Sequence, residues 1–213
     1  MRLSCSLCKT CRLCKVFEMT LPLRERRRQE TALLIQRATL ELAMQNGLES
    51  LTTDEIAAAS GVSTRTFFNY YPNKEAAAIG HPPEFSESDK EALRTGTAPL
   101  AADIKRLLGR HIETLAKDEA ILRMVGKILR CNEKARGILD GFLSAQREDL
   151  TEVFCSRIGN RQTAAALAHS ATNAIGGAIF LWEHEDGITL SQALDRVWEG
   201  LMDASRLLSS TGE

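Results

Sequence analysis

What the chain lacks narrows the field first. No uninterrupted apolar run approaches the roughly 20 residues that span a bilayer, so a membrane protein is not expected. The first residues carry neither an apolar signal core nor a small-residue cleavage site, and the expectation is a cytoplasmic protein. Strand-like alternation persists nowhere and there is no internal repeat, which leaves an all-α chain. A Ser-His-Asp, Cys-His or paired-carboxylate arrangement is missing, and so is a glycine-rich phosphate loop, because Gly176-Gly177 falls inside helical sequence. Neither an enzyme nor a cofactor is expected. His184, in Trp182-Glu183-His184-Glu185-Asp186, has metal-ligand chemistry, but a charged helix terminus is the plainer reading.

A strong charge of one sign is also missing. The formal net charge is −1, yet residues 1–80 hold 11 Lys+Arg against 8 Asp+Glu, and residues 81–213 hold 16 against 20. The mildly basic front can face phosphate, and the acidic remainder is repelled by it. Cysteines are not spread as in a secreted disulfide scaffold. Cys5, Cys8, Cys11 and Cys14 crowd into one run, with Cys131 and Cys155 alone in helical sequence. Thiolates two residues apart can hold zinc or an iron–sulfur cluster, but ferredoxin runs have a wider fourth interval followed by proline, and Lys15 follows here. No metal site is therefore expected. Met19 is the expected start, and residues 1–21 form a disordered or non-native tail. The alternative is a metal- or redox-responsive regulator working through Cys5, Cys8, Cys11 and Cys14.

What is present is helical. A first helix is expected from Arg24 to Asn46, opened by Arg24, Arg26, Arg27 and Arg28, with Ile35, Ala38 and Leu42 on one face and a stop at Asn46-Gly47. Thr52-Thr53-Asp54-Glu55 is a start signal for a short second helix, about Thr53 to Ala59. Ser60-Gly61-Val62-Ser63 breaks it, a third helix runs from Thr64 to Tyr71, and Asn73 caps a fourth beginning at Lys74. Ala57 and Gly61 let the second and third helices cross steeply, with Ile56, Val62, Phe67 and Tyr71 closing the core beneath. Thr64, Arg65, Phe68 and Asn69 then face outward, with Thr66 and Tyr70 at the flanks. Periodicity disappears between His81 and Pro99, which reads as a loop. Longer helices are expected at about Pro99–Ala116, Glu119–Arg130, Glu133–Arg157, Arg161–Glu183 and Thr189–Leu208.

The stretch Ala-Ser-Gly-Val-Ser followed by Arg-Thr-Phe-Phe-Asn-Tyr-Tyr-Pro-Asn-Lys-Glu resembles the recognition-helix signature of the TetR/AcrR family, and the resemblance covers about Arg24 to Ala78. It implies a three-helix helix-turn-helix DNA-binding domain at residues 22–82 and a helical ligand-binding and dimerisation domain at residues 83–213. It further implies a homodimeric transcription repressor, released from double-stranded operator DNA by a small, largely apolar effector; a helical enzyme is a distant alternative. By position, Thr53 caps the second helix and touches a phosphate. Thr64, Arg65 and Thr66 sit at the major groove, with Arg65 on a guanine edge and Asn69 on the same exposed face. Phe68 stands where the family usually has a tyrosine, so apolar contact with sugar or a thymine methyl is its expected role. Tyr70 and Lys74 hold backbone phosphates. Met124, Ile128, Phe142, Leu143, Phe154 and Trp182 are candidates to line an apolar ligand cavity. The last two helices are expected to pair with a second subunit through small residues such as Ala164, Ala168, Ala171, Gly176 and Ala178.

Overall fold

The computed structural model describes residues 23–209, and every regular element among them is helical. Residues 1–21, with the cysteine run and the candidate start at Met19, lie outside the described residues. Four helices form the N-terminal head: α1 (Leu23–Asn46), α2 (Thr53–Ala59), α3 (Thr64–Tyr70) and α4 (Lys74–Ile79). Six form the body: α5 (Glu87–Thr95), α6 (Leu100–Leu115), α7 (Glu119–Cys131), α8 (Glu133–Ile158), α9 (Arg161–His184) and α10 (Leu190–Ser209).

One expected loop is a helix. α5 lies inside the stretch 81–99, capped by Ser86, whose hydroxyl accepts from the Asp89 amide at 3.1 Å. Its inward face consists of Leu93 and Lys90. A lysine at a core position erases the apolar period on which the sequence reading relied. Burial alone would lower the pKa of Lys90, but Asp149 and Glu87 outweigh it and hold the ammonium above its ordinary value. A second ion pair fixes the next turn to α8. Arg157 donates to Leu93 O at 3.1 Å, Ala98 O at 2.6 Å and Asp103 Oδ2 at 2.7 Å, and its hydrogen bond keeps the Asp103 carboxyl below the usual range.

The body core gathers Leu93, Leu108, Ile112, Leu150, Phe154, Trp182, Leu190 and Trp198. α9 is long and apolar enough, by length and composition alone, to cross a membrane. Here Ala164, Ala168, Ala171, Ala174 and Ala178 are buried, and α9 packs on α8 and α10 within the chain. The small-residue stripe thus divides: most alanines serve the protomer's own core, while Ala166, His169, Asn173, Gly176 and Phe180 form the outward line.

The head core is built on Ile35, Leu40, Leu48, Leu51, Ile56, Phe67 and Tyr71, and it also takes in Ile128 of α7 and Ala135 of α8. Polar contacts reinforce the junction at both ends of α7. Asp118, which caps α7, pairs with Arg37. Asn132 closes α7 and opens α8, accepting from the Ala135 amide at 2.8 Å while donating to Glu49 Oε1 at 2.6 Å. Lys134 approaches the buried Glu75 carboxylate at 3.0 Å. The two cores therefore do not divide where the chain does, because α7 and the first turn of α8 pack with the head.

Candidate nucleic-acid interface

α2 begins with a capping box. The Thr52 hydroxyl accepts from the Glu55 amide at 3.2 Å, and the Glu55 carboxylate accepts from the Thr52 amide at 2.8 Å. These bonds favour the charged carboxylate and hold the Glu55 pKa below its ordinary value. The cap is thus Thr52, not Thr53 as expected from position; Thr53 is the first helical residue, half-buried. A chain with two adjacent threonines offers two registers for the cap, and Glu55 is three residues from Thr52 only.

The turn needs Gly61, whose φ of +70° lies in the left-handed region that other residues avoid. Its amide donates to Ala58 O at 3.1 Å, and that of Val62 to Ala57 O at 3.0 Å. Ser63 then caps α3, accepting from the Thr66 amide at 3.0 Å. The helix stops one residue earlier than expected. Tyr71 is extended, as a residue before proline prefers, and serves as the C-cap. Its ring is buried and its hydroxyl donates to Ala32 O at 3.1 Å, tying the end of α3 to α1. Burial pushes the Tyr71 phenol up to about 12.

On this base α3 presents an outward face. Arg65, Phe68 and Asn69 are exposed, while Thr64, Thr66 and Tyr70 are half-buried at its edges. Phe68 is 52% exposed and packs edge-on against the buried Phe67, with ring centroids 5.4 Å apart. The two threonine hydroxyls are already engaged: Thr64 donates to Asp54 Oδ1 at 2.6 Å, and Thr66 meets Ser63 Oγ at 2.8 Å. Arg65 has no such tether among the described residues. Lys74 is also occupied, donating to Glu49 O at 2.6 Å and Leu51 O at 2.9 Å. Two of its three N–H donors hold the 3-10 turn Leu48–Ser50 and the start of α2 against α4. In the sequence Arg28 is one member of a basic run. Its guanidinium stands 5.4 Å from the Tyr70 ring centroid, which brings the arginines of α1 beside α3.

The ligand candidates do not gather round one cavity. Met124 packs against the head core and Ile128 belongs to it, whereas Phe154 and Trp182 are members of the body core, with Phe142 and Leu143 half-buried on α8. A hollow of about 380 Å³, bordered by Glu185, Asp186, Gly187, Gln192, Asp195 and Arg196 at the α9–α10 turn, contains none of the candidates. Apolar residues on amphipathic helices look alike in sequence whether they fill a core or line a cavity.

Residues 35–76 match the family described as bacterial regulatory proteins, tetR family. Over 133 residues the chain is 31% identical to the HTH-type transcriptional regulator TcmR of Streptomyces glaucescens, covering 59% of this chain and 58% of that protein. The match therefore spans less than two thirds of the relative's length. A Clostridium perfringens protein described as a fatty acid metabolism regulator shares the fold, with a TM-score of 0.56 at 19% identity over 80% of this chain and 97% of the other. The Thermus thermophilus repressor FadR, solved in complex with lauroyl-CoA, is 22% identical with a TM-score of 0.46, covering 80% and 93%. The matched family and the matched Streptomyces relative are both described as regulators. The capped α2, the glycine turn and the outward α3 all lie inside the segment, residues 35–76, that is similar to the tetR family of bacterial regulatory proteins.

Proposed function

We propose that this protein is a cytoplasmic transcription regulator, a repressor that reads operator DNA as a homodimer. In this reading residues 22–82 form the DNA-binding domain, and residues 83–213 form the ligand-binding and dimerisation domain. The observation that carries the reading is the outer face of α3. An exposed arginine, an amide side chain and a half-exposed phenylalanine stand on a helix fixed by its caps and by the buried Phe67. The major groove offers guanine acceptors to Arg65, adenine edges to Asn69 and thymine methyls to Phe68. Thr53, Thr64, Thr66 and Tyr70 flank that face and are assigned to phosphates and groove edges. Lys74 is assigned to phosphate only through its remaining N–H; its main work is to position α2.

Dimerisation is assigned to the outward line of α9, where Phe180 is 63% exposed among small and polar neighbours. A large aromatic left in water on a helix of small residues is suited to a self-complementary seam. Two heads so joined read half-sites roughly 34–36 Å apart, one turn of DNA.

Selection of bound fragments from genomic DNA tests the reading. Enrichment of an inverted repeat with half-sites about one turn apart is expected; no enrichment of any sequence ends the proposal. Phe180→Glu is expected to sediment as a monomer and to lose operator binding while keeping its helical circular dichroism.

A further inference from the structure

α7 has two working faces. Ile121, Met124, Val125, Ile128 and Leu129 pack with the head core. Arg123, Lys127 and Arg130 follow one another at helical spacing on the other side, where with Glu183 and His184 of α9 they border a cleft of about 130 Å³. That is several times the ~30 Å³ share of a water molecule in the liquid. The cleft walls are set. The Arg123 guanidinium lies 3.8 Å from the centroid of the buried Trp182 ring, which holds an otherwise exposed side chain at the cleft. Arg130 donates to Glu183 Oε2 at 3.0 Å. The Glu183 carboxylate in turn lies against the α carbon of Gly126, where any side chain would collide with it. Lys127 has neither hydrogen bond nor ion pair among the described residues.

Three cations against one carboxylate leave two positive charges uncompensated in one recess. We propose that this cleft binds the phosphate group of a small-molecule ligand, and that occupancy is communicated to the head through α7. A phosphate ester carries about −1.5 to −2 charge at pH 7 and presents three acceptor oxygens. That matches a guanidinium fork plus an ammonium point charge, whereas a single carboxylate would leave one cation unmatched. The ligand oxygens compete with Glu183 for Arg130. The helix bearing these cations has its N-cap, Asp118, paired with Arg37 and its C-cap, Asn132, bonded to Glu49, so a displacement of α7 reaches the head at both ends. This role for the ligand rests on the regulator reading above; the site itself does not.

The test uses the full chain with inorganic pyrophosphate and inorganic phosphate as probes, in calorimetry and in tryptophan fluorescence, since Trp182 lies directly under Arg123. Saturable binding of pyrophosphate is expected, at least tenfold weaker in Lys127→Gln and unchanged in Arg94→Gln, a control on α5 whose partner is Glu91. Lys127 is exposed, so its replacement leaves the fold intact. Equal binding by Lys127→Gln and the wild type, or no saturable binding by the wild type, overturns the site. Phosphates of DNA are the other source of this chemistry. Lys127→Gln should leave the salt dependence of operator binding unchanged. A slope reduced by about 1 would instead assign Lys127 to a DNA phosphate and overturn the small-molecule reading. Wild-type protein that binds pyrophosphate but no DNA would refute the regulator reading and leave the site standing. Operator binding indifferent to saturating pyrophosphate would refute the communication through α7.

Discussion

The head and the body reach order by different routes. α2, α3 and α4 are seven, seven and six residues long, far below the roughly 12–15 at which an isolated helix becomes even marginal in water. Each is started by a side-chain cap, from Thr52, Ser63 and Asn73, and they are held together by the burial of Phe67, Ile56 and Tyr71. The body helices α8 and α9 run to 26 and 24 residues and cohere by long apolar faces and cross-helix ion pairs. In the head, then, the orientation of α3 depends on a few local bonds and one ring. In the body the same loss is spread over many contacts.

Phe67→Ala presses this contrast hardest. The ring is fully buried, and its removal should cost about 3–5 kcal/mol, measured by chemical denaturation, with operator binding lost at the same time. A body that melts normally while the head is unfolded would mean that the two regions are not one cooperative unit.

His111 offers the matching test in the body. It is buried on α6 against Phe85, ring centroids 4.4 Å apart, and burial pushes its pKa down to about 4. Unfolding returns it to about 6.5, so between those values the unfolded chain binds a proton that the folded chain refuses. Stability should fall as pH drops from 6.5 to 4, by up to ~3 kcal/mol from this group. His111→Leu should remove that part of the pH slope; an unchanged slope would place the titration elsewhere.

Arg65→Ala separates reading from folding. Among the described residues nothing tethers Arg65, so the melting temperature should not move, while specific operator affinity drops by about 1–3 kcal/mol and preference relaxes at one base pair per half-site. An unchanged site preference would remove Arg65 from base contact. The smallest effect is expected from Thr52→Ala, about 1 kcal/mol of stability through the lost capping box, whereas Thr53→Ala should be nearly neutral. The reverse order would restore Thr53 as the cap.

Much of the architecture was legible because its signals are local. Asn46-Gly47, Gly61 and Asn73 mark helix ends whatever surrounds them, and the alternation of Phe67 and Tyr71 against Arg65, Phe68 and Asn69 fixes which side of α3 faces out. What was hidden is what depends on partners distant in the chain. α5 escaped because its inward residue is a lysine neutralised by Asp149, 59 positions away. Arg28 over Tyr70, Lys74 on two backbone carbonyls and the polar contacts at both ends of α7 all require folding before they exist. The apolar candidates on α7, α8 and α9 look like one set in sequence and fall into two cores, because periodicity gives the buried face of a helix but not its neighbour.

The borrowing of Ile128 and Ala135 by the head bears on how such a protein can be cut and recombined. A reading head excised at residue 82 would carry an open wound where those two side chains had been, and would leave Glu49 and Glu75 without Asn132 and Lys134. The exchangeable module is therefore discontinuous in the chain: α1–α4 together with residues 118–135. A chimera that transplants only the first segment sets the outward face of α3 on an unsupported scaffold. One that carries both segments also keeps the contacts of α7 and the first turn of α8 with α1 and α4.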